Sequence, residues 1–155
     1  MKFFMRKQNG VTLVEFTIVA SVFLVIIFSI FQIAIFAFTL QSLNDITRRS
    51  ARIASVCVVD DVDIKSLVLT ELKPVGFTAE NIEIKYLNSS GGTPVNHGDI
   101  HYVQARVINY NYSFSGILRF LGDNGIVPVP DFKTIFPAES LGVLRVNDPT
   151  AKTDC

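Results

Sequence analysis

The chain holds 155 residues, 49% of them hydrophobic, with a mean hydropathy of +0.39. Fourteen basic residues cancel fourteen acidic ones, which excludes both the cationic excess of a nucleic-acid binder and the acidic tail of a disordered chain. With the apolar first third set aside, roughly a hundred residues remain, enough for one small domain.

The first ten residues are short and polar, with Lys2, Arg6 and Lys7 ahead of Gly10. No charged residue then occurs from Phe16 to Asn44. At ~1.5 Å per residue a helix of this length crosses a hydrocarbon core of ~30 Å. The run is too long and too uniformly apolar for the core helix of a soluble protein, and it predicts a single N-terminal transmembrane helix. A secretory signal fits poorly, because its apolar region spans ~7–15 residues and ends in small residues. Ala54-Ser55-Val56-Cys57 has the outline of a lipid-attachment site, but Val56 is bulky for the cleavage position and three arginines precede it. Those arginines (Arg48, Arg49 and Arg52) nearly balance the basic leader, so charge alone leaves the orientation open.

Glu15 stands at the edge of the apolar run. A carboxylate costs ~2.5–3.5 kcal/mol at the centre of a membrane helix and less near its end. One reading is a carboxylate at the interface, in reach of water. The other takes the whole string of basic residues, Gly10, and Val11-Thr12-Leu13-Val14-Glu15-Phe16. That layout resembles a type IV pilin-like signal, which a prepilin peptidase cuts after the glycine. Cleavage after Gly10 would give Val11 a charged amino terminus, with Glu15 one helical turn away. It would also leave a chain of net charge about −3. In low dielectric an ammonium and a carboxylate attract strongly, and in a stack of helices the partner can belong to the neighbouring chain.

The stretch from Arg6 to Phe16 resembles more narrowly the start of the TadE-like family of the tight-adherence (Flp-type) pilus system, which opens with a basic-Gly leader, a small or aliphatic residue, then Val-Glu-Phe. Major pilins of other type IV systems carry Phe directly after the glycine, where this chain has Val11. The resemblance covers Arg6 to Cys57 closely. It is loose beyond, where Tyr110 to Phe114 and Leu144-Arg145-Val146 resemble the family's Tyr-rich long strand and late short strand. It implies a minor pseudopilin-like subunit in assembly of a type IVc pilus, packed through its N-terminal helix. The implied partners are the membrane, a prepilin peptidase, other minor pseudopilins, the major pilin and an inner-membrane assembly platform. The implied topology is single-pass in a bacterial inner membrane, N-terminus cytoplasmic and C-terminal domain periplasmic.

Beyond Phe38 the helix is expected to continue into water. Leu40, Leu43, Ile46, Ser50, Ile53 and Cys57 recur at steps of three and four, while Gln41, Asn44, Asp45, Arg48 and Arg52 form the opposite face. Asp45 and Arg49 are spaced for an i,i+4 ion pair. Gln32, the amide deep in the run, can hydrogen-bond another helix or be merely tolerated. Three segments follow from these signals: a leader over 1–10, a transmembrane and amphipathic helix over 11–57, and an α+β domain over 58–155.

Asp60, Asp61 and Asp63 open a second helix, whose apolar face is Ile64, Leu67, Val68 and Leu72 and which Pro74 and Gly76 end. The same aspartates could hold calcium, but no further ligand spacing supports a metal. Asn81 to Leu87 alternates as a half-buried strand with Ile82, Ile84 and Tyr86 inward. Asn88 to Pro94 is loop by composition. Asp99 to Phe114 reads as one long central strand, and Ala138 to Val146 as a third strand, completing a three-stranded antiparallel sheet. Between them, Gly116 to Leu121 reads as a short helical turn exposing Phe120 to a partner or to the membrane surface. Asp123-Asn124-Gly125 is a turn, and Val127-Pro128-Val129-Pro130 is extended but no central strand. Asn147 to Cys155 is a polar tail.

Cys57 and Cys155 are the two cysteines. In an oxidising compartment they can form one bridge, which would hold the tail; the other reading is two unrelated thiols. His97 and His101 lie four apart across Gly98 in a loop, not on a helix face as zinc-binding pairs do. No nucleophile elbow or phosphate loop occurs, and the aromatic strand lacks the basic groove of a single-strand binder. The expectation is therefore no enzyme, no cofactor, no metal and no nucleic acid. The alternative to the pilus subunit is an uncleaved, membrane-anchored periplasmic binding or scaffold module, with an anchored enzyme behind it.

Overall fold

The computed structural model describes residues 11–61, 63–69, 73–145, 148–152 and 155. The fold is α+β. A long apolar helix, α1 (Val11–Val56), is followed by a short helix, α2 (Asp63–Val68). The strands are β1 (Ile82–Leu87), β2 (Tyr102–Val107), β3 (Asn111–Ser113), β4 (Ile126–Pro128), β5 (Lys133–Pro137), β6 (Val143–Arg145) and β7 (Asp148–Lys152). They make a three-stranded antiparallel sheet in the order β1-β2-β5 and two ribbons, β3-β4 and β6-β7.

The chain divides into two compact units, one of residues up to Phe36 with Ser113–Val127, the other of Ala37–Tyr112 with Pro128–Cys155. In the first, α1 is apolar on all sides and, among the described residues, most of it is uncovered: Val11, Leu13, Phe16, Val19, Phe23, Leu24, Phe28 and Phe31 are all exposed. This stretch is long and apolar enough to cross a membrane. Its hydroxyls carry their own hydrogen bonds. Thr17 donates to the Val14 carbonyl, Ser21 to that of Ile18 and Ser29 to that of Val25, each at 2.8 Å. Backbone and hydroxyl groups bonded within the helix are what hydrocarbon tolerates.

The same unit contains the segment after β3. A 3-10 turn, Gly116–Phe120, buries Leu118 and leaves Phe120 76% exposed. Phe114 packs its ring on Phe36, centroids 5.2 Å apart, and Gln32 Nε2 donates to Ser115 Oγ at 3.2 Å. The turn expected at Asp123-Asn124-Gly125 is present. Asn124 and Gly125 both take positive φ, and Asp123 and Ile126 exchange backbone hydrogen bonds.

The second unit holds the core. Leu43, Ile46, Ser50 and Ala54 of α1 are buried along the expected stripe, joined by Thr47, Ala51 and Ser55. Leu43 and Ile46 meet Val68, Phe77, Ile82, Val107 and Tyr110. Ala54 and Cys57 meet Ile64, Val103 and Leu141. The buried hydroxyls are satisfied along the helix, Ser50 donating to the Ile46 carbonyl and Ser55 to that of Arg52. Thr47 donates to the Asn44 carbonyl at 2.8 Å, and the Thr134 hydroxyl of β5 reaches Thr47 at 3.3 Å. Asp45 and Arg49 form the expected exposed pair at 2.7 Å, a contact of about 0.3–0.5 kcal/mol.

Four expectations change. The long strand from Asp99 to Phe114 is broken in two, because Asn109 takes φ 53°, outside the β region. Asn81 holds that break: its backbone carbonyl accepts from Ile108 N–H, and its amide donates to the Ile108 and Asn109 carbonyls. β2 is central by pairing, but only Val103, Ala105 and Val107 of it are buried, so one face is fully covered rather than both. The third strand of the sheet is β5, not the segment from Ala138 to Val146; Val143–Arg145 pairs instead with Asp148–Lys152, inside what reads as a plain polar tail. The second helix stops at Val68, and Val62, Leu72 and Val146 lie outside the described residues.

Candidate assembly site on the N-terminal helix

The first two turns of α1 carry the residues that sequence singles out. Gly10 lies outside the described residues; Val11 is the first residue of the helix. Val11, Val14, Glu15 and Ile18 stand at i, i+3, i+4 and i+7 and together line a shallow groove on one helix face. The groove is apolar apart from the Glu15 carboxylate, which is exposed and follows Val11 by one turn, about 6 Å along the axis. Helix geometry adds a second feature here, since the first four backbone N–H groups have no partner within the helix. One carboxylate on an otherwise hydrocarbon face is satisfied by water at a membrane interface or by a cationic or hydrogen-bonding partner.

Residues 10–52 match the family model of the TadE-like proteins. The TadE-like match takes in Gly10, Val11, Glu15 and the striped part of α1 as far as Arg52, and ends before Cys57. No match occurs among curated proteins or solved structures. The chain therefore carries a TadE-like segment, on one apolar N-terminal helix compatible with a single membrane pass.

The second pair of singled-out residues lies beyond that match. Cys57 and Cys155 are joined in a disulfide, Cα atoms 5.7 Å apart, across 98 positions of sequence. Cys57 is buried against Ala54, Ile64, Val103 and Leu141. The Cys155 backbone N–H donates to Asp61 Oδ2 at 3.1 Å, and Asp63 N–H at the start of α2 donates to Asp61 Oδ1 at 2.9 Å. These two donors, Asp63 first, hold the Asp61 carboxyl below the usual carboxylate range. Asp61 thus serves as a cap for α2 and a latch for the chain end. Tyr86 lies against the same cluster and accepts from Asp60 N–H at 3.3 Å; burial raises its phenol above the usual range.

Sequence reading did not find how α1 ends. Residues 139–142 close over its last turn: Glu139 and Leu141 N–H donate to the Ser55 carbonyl, and Gly142 N–H donates to that of Val56 at 2.7 Å. The Ser140 hydroxyl also reaches the Val56 carbonyl, at 3.1 Å. Carbonyls that a helix end leaves orphaned are thereby satisfied by a distant loop. Gly142 has φ +79°, and a Cβ there would lie 2.5 Å from Val58 Cγ2 and 2.8 Å from the Val58 backbone, so glycine is required twice over. The signal available in sequence was the pair Leu141-Gly142 after Pro137, which marks a turn but not its target.

His97 sits in a 3-10 turn and His101 leads into β2; both are exposed. His101 contributes its backbone to the sheet, donating to the Leu87 carbonyl at 2.9 Å. On the outer face of the sheet, Glu83 of β1 faces Arg106 of β2 in register and pairs with it, with Lys85 alongside at 3.5 Å. The Arg106 hydrogen bond holds the Glu83 carboxyl below its usual range.

Proposed function

We infer that this protein is a minor pseudopilin-like subunit in assembly of a type IVc, tight-adherence pilus. Its precursor is cut after Gly10 by a prepilin peptidase, and the mature helix stays in the inner membrane with the C-terminal region in the periplasm. The protein does no chemistry of its own; its work is packing. The observation that carries the reading is a lone carboxylate, Glu15, one turn into a bare apolar helix whose sequence from residue 10 matches the TadE-like model.

The mechanism follows from charge. A free α-amino group has a pKa near 7.7–8.0 and is largely cationic at neutral pH. Released at Val11, it places a positive charge where Glu15 of an adjacent helix can meet it. Away from water neither charge is tolerable alone, and removing one member of such a pair costs ~3–5 kcal/mol. Two helices at the wrong axial offset leave both charges unpaired, so the pair selects one register. The neighbours that would supply the partner charge are other minor pseudopilins and the major pilin, engaged at an inner-membrane assembly platform.

The test is Glu15→Gln, which keeps size and removes charge. The expected result is normal cleavage and membrane insertion with strongly reduced surface piliation and reduced co-purification with partner subunits. Unchanged piliation and co-purification would overturn the pairing role of Glu15.

A further inference from the structure

We propose that the turn Gly116–Phe120, with Leu121, is a membrane-surface anchor that inserts Ile117, Phe120 and Leu121 into the acyl–headgroup boundary of the leaflet at the far end of the apolar helix. The proposal rests on reading that helix as a span, not on the pilus assignment.

Depth is the first argument. The turn is fixed to α1 by two contacts within its own unit, Gln32 to Ser115 and Phe36 to Phe114. Gln32 stands about 25 Å along the helix axis from Glu15 and about 32 Å from Val11. With a hydrocarbon core of ~30 Å that begins between Val11 and Glu15, Gln32 and its bonded Ser115 fall at the opposite boundary. Phe36, about 6 Å further, falls in the headgroup layer.

The second argument is what the turn presents there. Leu118 and Phe114 are buried and brace it, while Phe120 is 76% exposed, with Ile117 and Leu121 exposed beside it. Helix residues at this level, Phe31, Ile33 and Ile35, are exposed as well, so the turn adds to an apolar belt already present. Three large apolar side chains held outward on a braced turn, at the depth where aromatic residues collect in membrane proteins, fit a lipid interface.

Charge narrows the occupant. In Ser113–Val127 the charged residues are Arg119 and Asp123, which cancel. Attachment is therefore driven by apolar burial, with Arg119 free to extend toward phosphate, and does not depend on anionic lipid.

The chain has no tryptophan, so single reporters can be placed cleanly. Phe120→Trp and Phe28→Trp variants of the full chain are reconstituted separately in phosphatidylcholine vesicles brominated near the headgroup or near the chain ends. Phe28→Trp reports the span and should be quenched most by the deep label. Phe120→Trp should lose most of its emission to the shallow label and little to the deep one, equally with and without added phosphatidylglycerol. If Phe28→Trp is quenched but Phe120→Trp is quenched only by aqueous iodide, the anchor is wrong and the span stands. If Phe120→Trp is shielded from both iodide and lipid labels, a protein partner covers the turn, and the lipid assignment is wrong. If Phe28→Trp escapes the lipid labels, span and anchor fall together, while the Glu15 charge pair keeps its own separate test.

Discussion

The two stretches of α1 belong to one unbroken helix and behave oppositely. From Val11 to Phe36 the apolar side chains point in every direction, and most stay bare. From Ala37 to Val56 the buried positions, Thr39, Leu43, Ile46, Thr47, Ser50, Ala51, Ala54 and Ser55, form one stripe, with Asp45, Arg48, Arg49 and Arg52 outside it. The lesson is that the arrangement of apolar residues, together with their number, names the solvent. A stripe can be satisfied by the protein's own sheet; an all-round coat cannot, and calls for lipid or other helices.

That contrast can be broken most forcefully at the disulfide. Opening the Cys57–Cys155 bond, by Cys155→Ser or by reductant, should destabilise the second unit by ~2–5 kcal/mol, since it releases a loop of nearly a hundred residues. Denaturant unfolding in detergent, followed by near-ultraviolet circular dichroism, reads the loss. Helicity of the Val11–Phe36 stretch should persist through the transition. Melting of both stretches together would remove the distinction between them.

A matched pair of truncations tests it side by side. Leu43→Ala, at a position with no exposed surface, should cost ~3 kcal/mol in the same experiment. Leu24→Ala, in the bare stretch, should leave that midpoint within about 0.5 kcal/mol of the parent. A smaller effect, ~1–3 kcal/mol, is expected for Gly142→Ala, which strains a left-handed backbone and forces the loop off Val58 at the end of α1. Phe120→Ser, with its exposed side chain, should leave the unfolding midpoint alone.

The smallest effect concerns acid. The Glu83 carboxyl is lowered by Arg106, so its contribution is present above the unfolded value near 4.5 and disappears as pH falls through the lower folded value. Asp61, lowered by the Asp63 and Cys155 amides, has the same sign. A pH titration of stability should therefore fall below pH ~4.5, and Glu83→Gln should flatten part of that fall without altering stability at low pH.

Much of this was legible in sequence where periodicity is long. The apolar run and the three-and-four spacing after it define α1, and Ile82, Ile84 and Tyr86 define β1 through simple alternation. Legibility failed where one residue or a distant partner decides. Asn109 ends β2 through a left-handed backbone held by Asn81, a residue in another element. β5 is short and bounded by proline, and β6 and β7 gain meaning only by pairing. The placement of Glu15 one turn after Val11 was readable because it is purely local. The loop that closes α1 was not, because its acceptors, the Ser55 and Val56 carbonyls, belong to every helix end and mark none in particular. Two cysteines permit a bridge, but only packing of the chain end beside Cys57 brings them together.

The polymer-subunit reading depends most on a new amino terminus beside Glu15. Intact-mass spectrometry of the protein extracted from membranes of cells carrying the full pilus system tests it directly. The expected species begins at Val11, with residues 1–10 absent. A species that retains Met1 or Gly10 in assembled, piliated cells would contradict it and leave a tethered domain in its place.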